Sequence, residues 1–285
     1  MLTTNVAYCD GGLGNRLATL FTACALTLRH KVKWRIIWPE NNWCGANFSV
    51  LFSTSMQTSS SHLSDFTPYL DRYIFVMHEN QLLWKTNRVI DIATLRKFDD
   101  FAFVADSNRA PIFLYTNFPP PFVDVSNFSD LRALLRPRAD LLEMANTFID
   151  TFGINKSVIG VHIRKTDFSQ DVNDEQLFQD ITASPTQKYY VCTDDAVVSA
   201  RFSELGNCIV FPKLHYPIRL RSDGDWVSVS TDDQGRTFPS NISRSSSSVA
   251  EALIEMMILS KTTIAPTSGS TFLRFAQFMQ RVNFC

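Results

Sequence analysis

The chain has 285 residues, enough for one large domain or two modest ones. Its 27 basic and 28 acidic residues give a net charge of −1, so no basic excess exists to neutralise a nucleic-acid backbone, and we expect no nucleic-acid partner. Hydrophobic residues make up 45% and charged residues only 19%, which indicates a compact globular protein with a full-sized core.

The N-terminus shows no basic head followed by an apolar run, so no signal peptide is predicted. No stretch of about 18 or more apolar residues is present that would span a bilayer. The six cysteines form no C-x-x-C pair, and Cys9, Cys24 and Cys192 lie in apolar segments, which is typical of buried free thiols. We therefore expect a cytoplasmic protein.

The first predicted elements are a strand, a glycine turn, a helix with apolar residues at helical spacing, and a second strand, which together form one α/β unit. A Ser/Thr-rich segment follows and is predicted to be a loop. A helix interrupted near Pro137 ends at Gly153, where we place the end of the first domain. The predicted strands cover 5–9, 34–38, 73–76 and 112–115, the loop covers 53–64, and the interrupted helix covers 131–152.

From residue 154 onward, strands and helices alternate regularly, which predicts a second parallel sheet. Ser248 begins one of these helices, with Glu251 three residues later as a capping box. The polar segment 212–243 is predicted to be a surface loop. The predicted strands cover 158–163, 188–192, 208–211 and 262–265, and the helices cover 196–205, 248–260 and 268–280. The predicted domains are therefore 1–153 and 154–285.

The segment G-G-L-G-N-R-L, residues 11–17, lies between the first strand and the first helix. Glycines allow tight turning and close ligand approach, and a helix N-terminus favours an anion. A plain βα turn explains the spacing equally well. Dinucleotide binding is the rival function, with Glu40 as a ribose-binding acid, but Leu17 occupies the place of that fingerprint's third small residue.

The segment H-I-R-K-T-D, residues 162–167, ends a predicted strand. Ligands of open parallel sheets bind at the carboxyl ends of the strands. Arg164 has the forked geometry that suits a diphosphate, and His162 offers an aromatic face or a donor. The alternative is a surface ion pair between Arg164 and Asp167; we favour the functional interpretation.

Three further segments have polar residues at turns. Asp194 and Asp195 follow a predicted strand, and at least one of them is predicted to cap the next helix. In the S-G-S-T turn, residues 268–271, hydroxyls and free amides suit phosphate oxygens, although an ordinary serine N-cap is equally consistent. Asp223 and Asp225 form the chain's single D-x-D, which metal-dependent glycosyltransferases use, but a plain turn is favoured there.

Taken together and in this order, these segments resemble the fucosyltransferase superfamily, which includes the α1,6-, α1,2- and protein O-fucosyltransferases. The resemblance covers the first 50 residues and most of 155–281. It implies a GT-B-like α/β fold, with two Rossmann-like domains facing across a cleft and the first domain on the acceptor side. It also implies inverting, metal-independent transfer of fucose from GDP-fucose to a glycan hydroxyl, without a cofactor. The missing membrane anchor and stem suggest a bacterial- or virus-like soluble enzyme.

The resemblance implies roles for individual residues. Arg164 would hold the diphosphate and stabilise departing GDP, while His162 contacts the nucleotide and Asp167 braces the loop. A carboxylate would deprotonate the acceptor, but the glutamate of the α1,6 relatives is not in register here. The candidate bases are Asp171, Asp174 and Glu175. The remaining donor-binding candidates are Gly12, Gly14, Asn15, Asp194, Ser268, Ser270 and Thr271.

Three alternatives remain open. A metal-dependent glycosyltransferase would centre on Asp223 and Asp225. A non-catalytic sugar- or nucleotide-binding module would keep the site without the chemistry. A dehydrogenase would use the glycine turn.

Overall fold

The computed structural model describes residues 4–61, 73–77, 89–91, 110–116, 128–167, 173–231, 237–238, 240–267 and 269–284. The described residues form two α/β units, each built on a parallel sheet, which confirms the predicted fold class. None of the helices in these ranges combines the length and hydropathy needed to span a bilayer. The five cysteines in these ranges are free thiols, and Cys9, Cys24 and Cys192 are buried as predicted.

The first unit contains a six-stranded sheet in which every pairing is parallel. Its order is β4-β2-β1-β7-β5-β6, so the first strand of the chain lies in the interior of the sheet. Alternate residues of neighbouring strands, such as Val6, Ile37 and Phe113, pack into one buried cluster. The strands are β1 (Asn5–Tyr8), β2 (Trp34–Ile37), β4 (Gln57–Ser59), β5 (Ile74–Met77), β6 (Val89–Asp91) and β7 (Ile112–Leu114).

Within its described residues, the first unit also holds three helices and one small antiparallel ladder. The longest helix, α1, joins β1 to β2 and ends at Lys31, which takes the left-handed conformation. The helices are α1 (Leu13–His30), α2 (Phe48–Leu51) and α3 (Phe128–Leu134), and the ladder pairs β3 (Phe52–Thr54) with β8 (Leu135–Pro137).

The second unit contains a four-stranded parallel sheet in the order β11-β10-β9-β14. Strand β9 is interior: β10 pairs with all five of its residues, and β14 pairs with Ile159 and Gly160. Val161, Val191 and Phe202 belong to the buried cluster on one face of this sheet. The sheet strands are β9 (Ile159–Ile163), β10 (Tyr189–Thr193), β11 (Cys208–Val210) and β14 (Thr263–Ile264), and a separate antiparallel pair is β12 (Ser230–Thr231) with β13 (Thr237–Phe238).

The described part of the second unit also has five helices: α4 (Ala139–Phe152), α5 (Asp174–Thr182), α6 (Ala196–Ser203), α7 (Ser246–Leu259) and α8 (Thr271–Arg281). Helix α7 is buried along most of its length, since it packs between the sheet and helices α4 and α8. Gly160 of β9 shows how close this packing is. A Cβ added there would collide with the Thr262 hydroxyl and lie 2.6 Å from a Leu259 methyl.

The division between the units differs from the predicted boundary after Gly153. The second unit begins at Arg138 and also includes Asn41–Ala46, while Val282–Phe284 return to the first unit. Helix α4 belongs to the second unit because its buried face, including Leu141 and Phe148, packs there beside α7. Periodicity along the chain predicts a buried face but does not say which sheet covers it.

Two local predictions are wrong and one is confirmed. The predicted loop at 53–64 contains strands β3 and β4 within its described part, because the hydroxyl-rich segment Gln57–Ser59 adds to the edge of the sheet beside β2. The predicted interruption of the 131–152 helix near Pro137 is confirmed, because β8 separates α3 from α4 there. Helix α7 is capped by Ser245, whose side chain accepts the Ser248 amide, rather than by a capping box from Ser248 to Glu251.

Candidate functional site

The H-I-R-K-T-D segment lies where the sequence places it, on strand β9 and the turn after it. His162 is within the strand, and Arg164 is the first residue beyond its carboxyl end. The Arg164 Nε and Nη2 atoms donate to Asp167 Oδ1 at 3.2 and 2.6 Å. Only 19% of the Arg164 side chain and 6% of the Asp167 side chain are exposed, so the predicted ion pair exists but is largely buried.

Asp167 has a second cationic partner that sequence reasoning missed. The Nη2 atom of Arg244 donates to the same oxygen, Asp167 Oδ1, at 2.9 Å, and the Thr166 hydroxyl oxygen lies 3.0 Å from it. Burial would raise the pKa of Asp167, but Arg244 and Arg164 outweigh that effect and lower it to about 2. Asp167 is therefore ionised and fixes two guanidinium groups at the end of β9.

Asp194 holds the same turn from the neighbouring strand. Its carboxylate accepts the Lys165 amide at 2.7 Å and also the Thr166 hydroxyl. Asp195 caps helix α6 by accepting the Val198 amide at 2.9 Å, so the prediction that one of these two aspartates is a helix cap is confirmed. Sequence position alone did not separate the two roles.

The His162 ring stacks on Phe272, with ring centres 4.6 Å apart and planes 16° apart. Its Nδ1 lies 3.2 Å from the Ser270 hydroxyl, and Thr267 Oγ1 donates to its backbone carbonyl at 2.9 Å. Burial lowers the pKa of His162 to about 4, so the ring is neutral at pH 7. The contacts of His162 with Thr267, Ser270 and Phe272 therefore bring the end of β9 next to the start of α8. Thr271 is the first residue of that helix. Ser268 lies outside the described residues.

The predicted bases are held in ion pairs or lie outside the described ranges. Asp174 Oδ1 accepts Lys165 Nζ at 2.9 Å, and this bond lowers the pKa of Asp174. Glu175 pairs with Arg201 at 2.7 Å on the exposed side of α5. Asp171 lies outside the described residues.

The glycine turn of the first unit is fixed by a buried arginine. Arg16 is fully buried; its Nε donates to the Gly11 carbonyl at 2.7 Å and its Nη1 to the Pro39 carbonyl at 2.6 Å. Gly11 has φ +80°, a conformation that favours glycine. At the N-terminus of α1, the capping residue is Gly12, which has no side chain to accept a helix amide. Gly14 and Asn15 lie in the first turn of that helix, and Asn15 Oδ1 is buried without a hydrogen-bond partner among the described residues.

The rival sites have simpler structural roles. Asp223 is 77% exposed on its side chain and pairs with Arg221 at 3.3 Å, while the Asn241 amide holds the Gly224 carbonyl at 3.2 Å, as in a plain turn. Within the described ranges, no three His, Cys, Asp or Glu side chains are grouped as a metal site requires. Leu17, which breaks the dinucleotide fingerprint, is a core residue.

A buried ion pair lies close to the site and was not predicted. Lys213 Nζ donates to Glu255 Oε2 at 2.8 Å and to the Thr193 carbonyl, next to Asp194, and each side chain is only 4% exposed. Burial raises the pKa of Glu255 to about 7, although Lys213 opposes the shift. The sequence did contain one signal of a buried charge, because Glu251 and Glu255 lie one turn apart in α7 and every other residue from Val249 to Leu259 is apolar.

Comparison with solved structures shows which proteins share this fold. A fucosyltransferase, NodZ from Bradyrhizobium, is 15% identical and aligns over 96% of this chain and 91% of its own, with a TM-score of 0.55. A point mutant of FUT1 from Arabidopsis thaliana, solved in complex with GDP, is 12% identical and aligns over 97% of this chain and 68% of its own, with a TM-score of 0.53. No protein-family model and no curated protein sequence matches.

These likenesses define the fold class first: a two-unit α/β fold with parallel sheets, shared over nearly the whole chain. More particularly, the fold is that of the fucosyltransferases, which confirms the fold that the sequence motifs predict.

Proposed function

We propose that this chain is an inverting, metal-independent glycosyltransferase that transfers fucose from GDP-fucose to a glycan hydroxyl. The observation that carries the proposal is Arg164, fixed at the carboxyl end of an interior parallel strand. The fold supports it, because structures sharing this fold include a NodZ α1,6-fucosyltransferase co-crystallised with GDP and another soaked with GDP-fucose.

The electrostatics suit departure of a nucleoside diphosphate. When GDP leaves the sugar, negative charge develops on the terminal phosphate, and a fixed cation stabilises it without reorganisation during the reaction. Arg164 is held by an ionised, buried carboxylate, so its orientation is set before the donor binds. In this proposal, Arg164 binds the diphosphate, and Asp167 and Asp194 keep the turn in place.

The neighbouring groups suit a nucleotide. The neutral His162 ring is oriented by Phe272 and by the Ser270 hydroxyl, and it offers a hydrogen-bonding edge without adding charge. Ser270 and the start of α8 at Thr271 provide hydroxyls and amide N–H groups for phosphate oxygens. Ser268, Gly12, Gly14 and Asn15 stay in the proposal as further donor-binding residues.

The acceptor hydroxyl must lose a proton during an inverting displacement. Asp174 is the described candidate nearest to Arg164 in sequence, but its pairing with Lys165 must open before one oxygen becomes available as a base. Glu175, paired on the exposed side of α5, and Asp171 remain alternative proposals.

The proposed cytoplasmic location has support from the cysteines. Cys9, Cys24 and Cys192 are buried and form no disulfide, as is typical of thiols in a reducing compartment.

The test is titration calorimetry of GDP in excess EDTA. A guanidinium that bonds a diphosphate contributes about 1.5–3 kcal/mol per charged hydrogen bond, so Arg164→Ala should weaken binding by about 100-fold or more. Arg219→Ala is the matched control, because Arg219 is exposed and lies over the Trp226 ring in a surface segment. Equal GDP binding by wild type and Arg164→Ala refutes the proposal.

Activity distinguishes the remaining classes. A fucosyltransferase of the proposed kind hydrolyses GDP-fucose slowly in EDTA even without an acceptor, and Arg164→Ala abolishes this hydrolysis. Loss of all turnover on chelation, with recovery on adding Mg²⁺ or Mn²⁺, would support the metal-dependent alternative instead. GDP binding without any turnover of the donor would support a binding module.

A further inference from the structure

A second guanidinium group lies at the proposed donor site. Arg244 comes from the segment before α7, 80 residues after Arg164 in the chain, and only 15% of its side chain is exposed. Its Nη2 donates to Asp167 Oδ1 at 2.9 Å and lies 3.4 Å from the Thr166 hydroxyl. Arg164 donates to the same carboxylate oxygen, so the two guanidinium groups share one anchor.

This arrangement leaves hydrogen-bonding capacity unused. Both side-chain hydrogen bonds of Arg244 to described residues come from Nη2, so its Nε and Nη1 have no acceptor among them. Asp194, which holds the same turn, is already bonded to an amide and a hydroxyl. An anion with several oxygens would satisfy the remaining donors of Arg244.

The position of Arg244 is built by a distant part of the chain. The Gly45 amide donates to the Arg244 carbonyl at 2.9 Å, and the Arg244 amide donates to the Asn42 carbonyl at 3.0 Å. From the same segment, the Trp43 side chain donates through Nε1 to Ser240 Oγ at 2.7 Å. A Cβ at Gly45 would lie 2.5 Å from the Arg244 carbonyl oxygen, so this close approach requires glycine.

We propose that Arg244 is a second diphosphate-binding residue of the donor site, and that the segment Asn41–Ala46 holds it in place. The inference rests on the proposed function for the identity of the ligand, a nucleoside diphosphate. According to this proposal, Arg164 and Arg244 both bind oxygens of one diphosphate, while each also donates to Asp167 Oδ1. These backbone hydrogen bonds explain why Asn41–Ala46 belongs to the second unit, since this segment fixes Arg244, a residue of that unit's proposed site.

The experiment measures affinity for GDP, for inorganic pyrophosphate and for guanosine, with calorimetry for the anions and NMR titration for the nucleoside. Arg244→Ala should weaken GDP and pyrophosphate by about 10- to 100-fold, as expected for lost charged hydrogen bonds, and leave guanosine affinity unchanged. Arg244→Lys should recover part of the loss, because it restores charge without the fork. Unchanged GDP binding, or an equal loss for GDP and guanosine, would overturn the inference; the second result would mean that Arg244 only supports the fold.

A glycine pair provides an independent test with the arginine intact. Gly45→Ala should weaken GDP and pyrophosphate binding because the new methyl displaces the Arg244 backbone. Gly206→Ala is its control, since a Cβ there meets nothing within 4 Å, and it should bind as wild type. If Gly45→Ala binds both anions as wild type does, the positioning role assigned to Asn41–Ala46 is wrong.

The outcomes separate this inference from the proposed function. GDP binding that needs Arg164 but not Arg244 would leave the proposed function standing and refute the inference. Pyrophosphate binding that needs both arginines, without any binding of GDP or GDP-fucose, would support the paired-arginine anion site and refute the proposed donor. A wild-type protein that binds neither GDP nor pyrophosphate would refute both.

Discussion

Asp167→Asn tests the electrostatic arrangement of the site without any ligand. The substitution nearly preserves shape but removes the charge that holds Arg164 and Arg244. In the folded protein the pKa of Asp167 is lowered from 3.8 to about 2. A lowering of about 2 units, at about 1.36 kcal/mol per unit, corresponds to roughly 2–3 kcal/mol of folding free energy at pH 7. The side chain is only 6% exposed, so solvent screening takes little from this value.

The sign of the pH dependence follows from the direction of the shift. A carboxyl group with a lowered folded-state pKa stabilises the protein above its unfolded pKa, and this stabilisation is lost as pH falls toward the folded pKa. Asp167→Asn should therefore lower the free energy of unfolding by about 2–3 kcal/mol at pH 7, and the difference from wild type should shrink between pH 3.8 and about 2.

Urea titrations followed by tryptophan fluorescence at pH 7, 5, 3 and 2 measure this difference. Asp223→Asn is the control, because that exposed pair with Arg221 should contribute at most about 1 kcal/mol. An Asp167→Asn protein as stable as wild type at pH 7, or a deficit that stays constant down to pH 2, would refute the account of the site.

Two further substitutions test the framework below the site, each followed by the thermal unfolding midpoint. Lys213→Met leaves the Glu255 carboxylate buried without its cation and should lower the free energy of unfolding by about 3–5 kcal/mol. Adding Glu255→Leu to this variant should restore much of the lost stability. A Lys213→Met protein as stable as wild type would contradict the buried ion pair. Gly160→Ala forces a methyl group against Thr262 and should cost at least about 1–3 kcal/mol, while Gly206→Ala should have little effect. Equal midpoints for the two glycine variants would mean that β9 and Thr262 are not in close contact.

Local patterns predicted the elements that carry the site. The largely apolar segment predicted as a strand over 158–163 became β9 (Ile159–Ile163), since runs rich in Val and Ile are typical of parallel strands buried on both faces. The polar residues after it lie at the carboxyl end of an interior strand, as the alternation of strands and helices predicted. Glycine at position 11 was likewise readable, since the turn takes a positive φ.

What failed was prediction of partners distant in sequence. Arg244 meets Asp167 across 77 positions, and Lys213 meets Glu255 across 42, so no local spacing connects them. Helix α4 was assigned to the first domain because its apolar face looks the same whichever sheet covers it. The predicted carboxylates Asp174 and Glu175 acquire cationic partners only when the turn after β9 and helices α5 and α6 come together.

The sequence by itself determined the opening strand, glycine turn, helix and strand, and the position of the cluster H-I-R-K-T-D after a strand, because each depends on residues within a few positions of one another. The tertiary structure decided which charges face each other, and so which acid braces the turn, which caps a helix and which arginine joins Arg164. Burial and Coulomb interactions act between neighbours in space, and only the folded sheet makes Asp167, Asp194 and Arg244 neighbours.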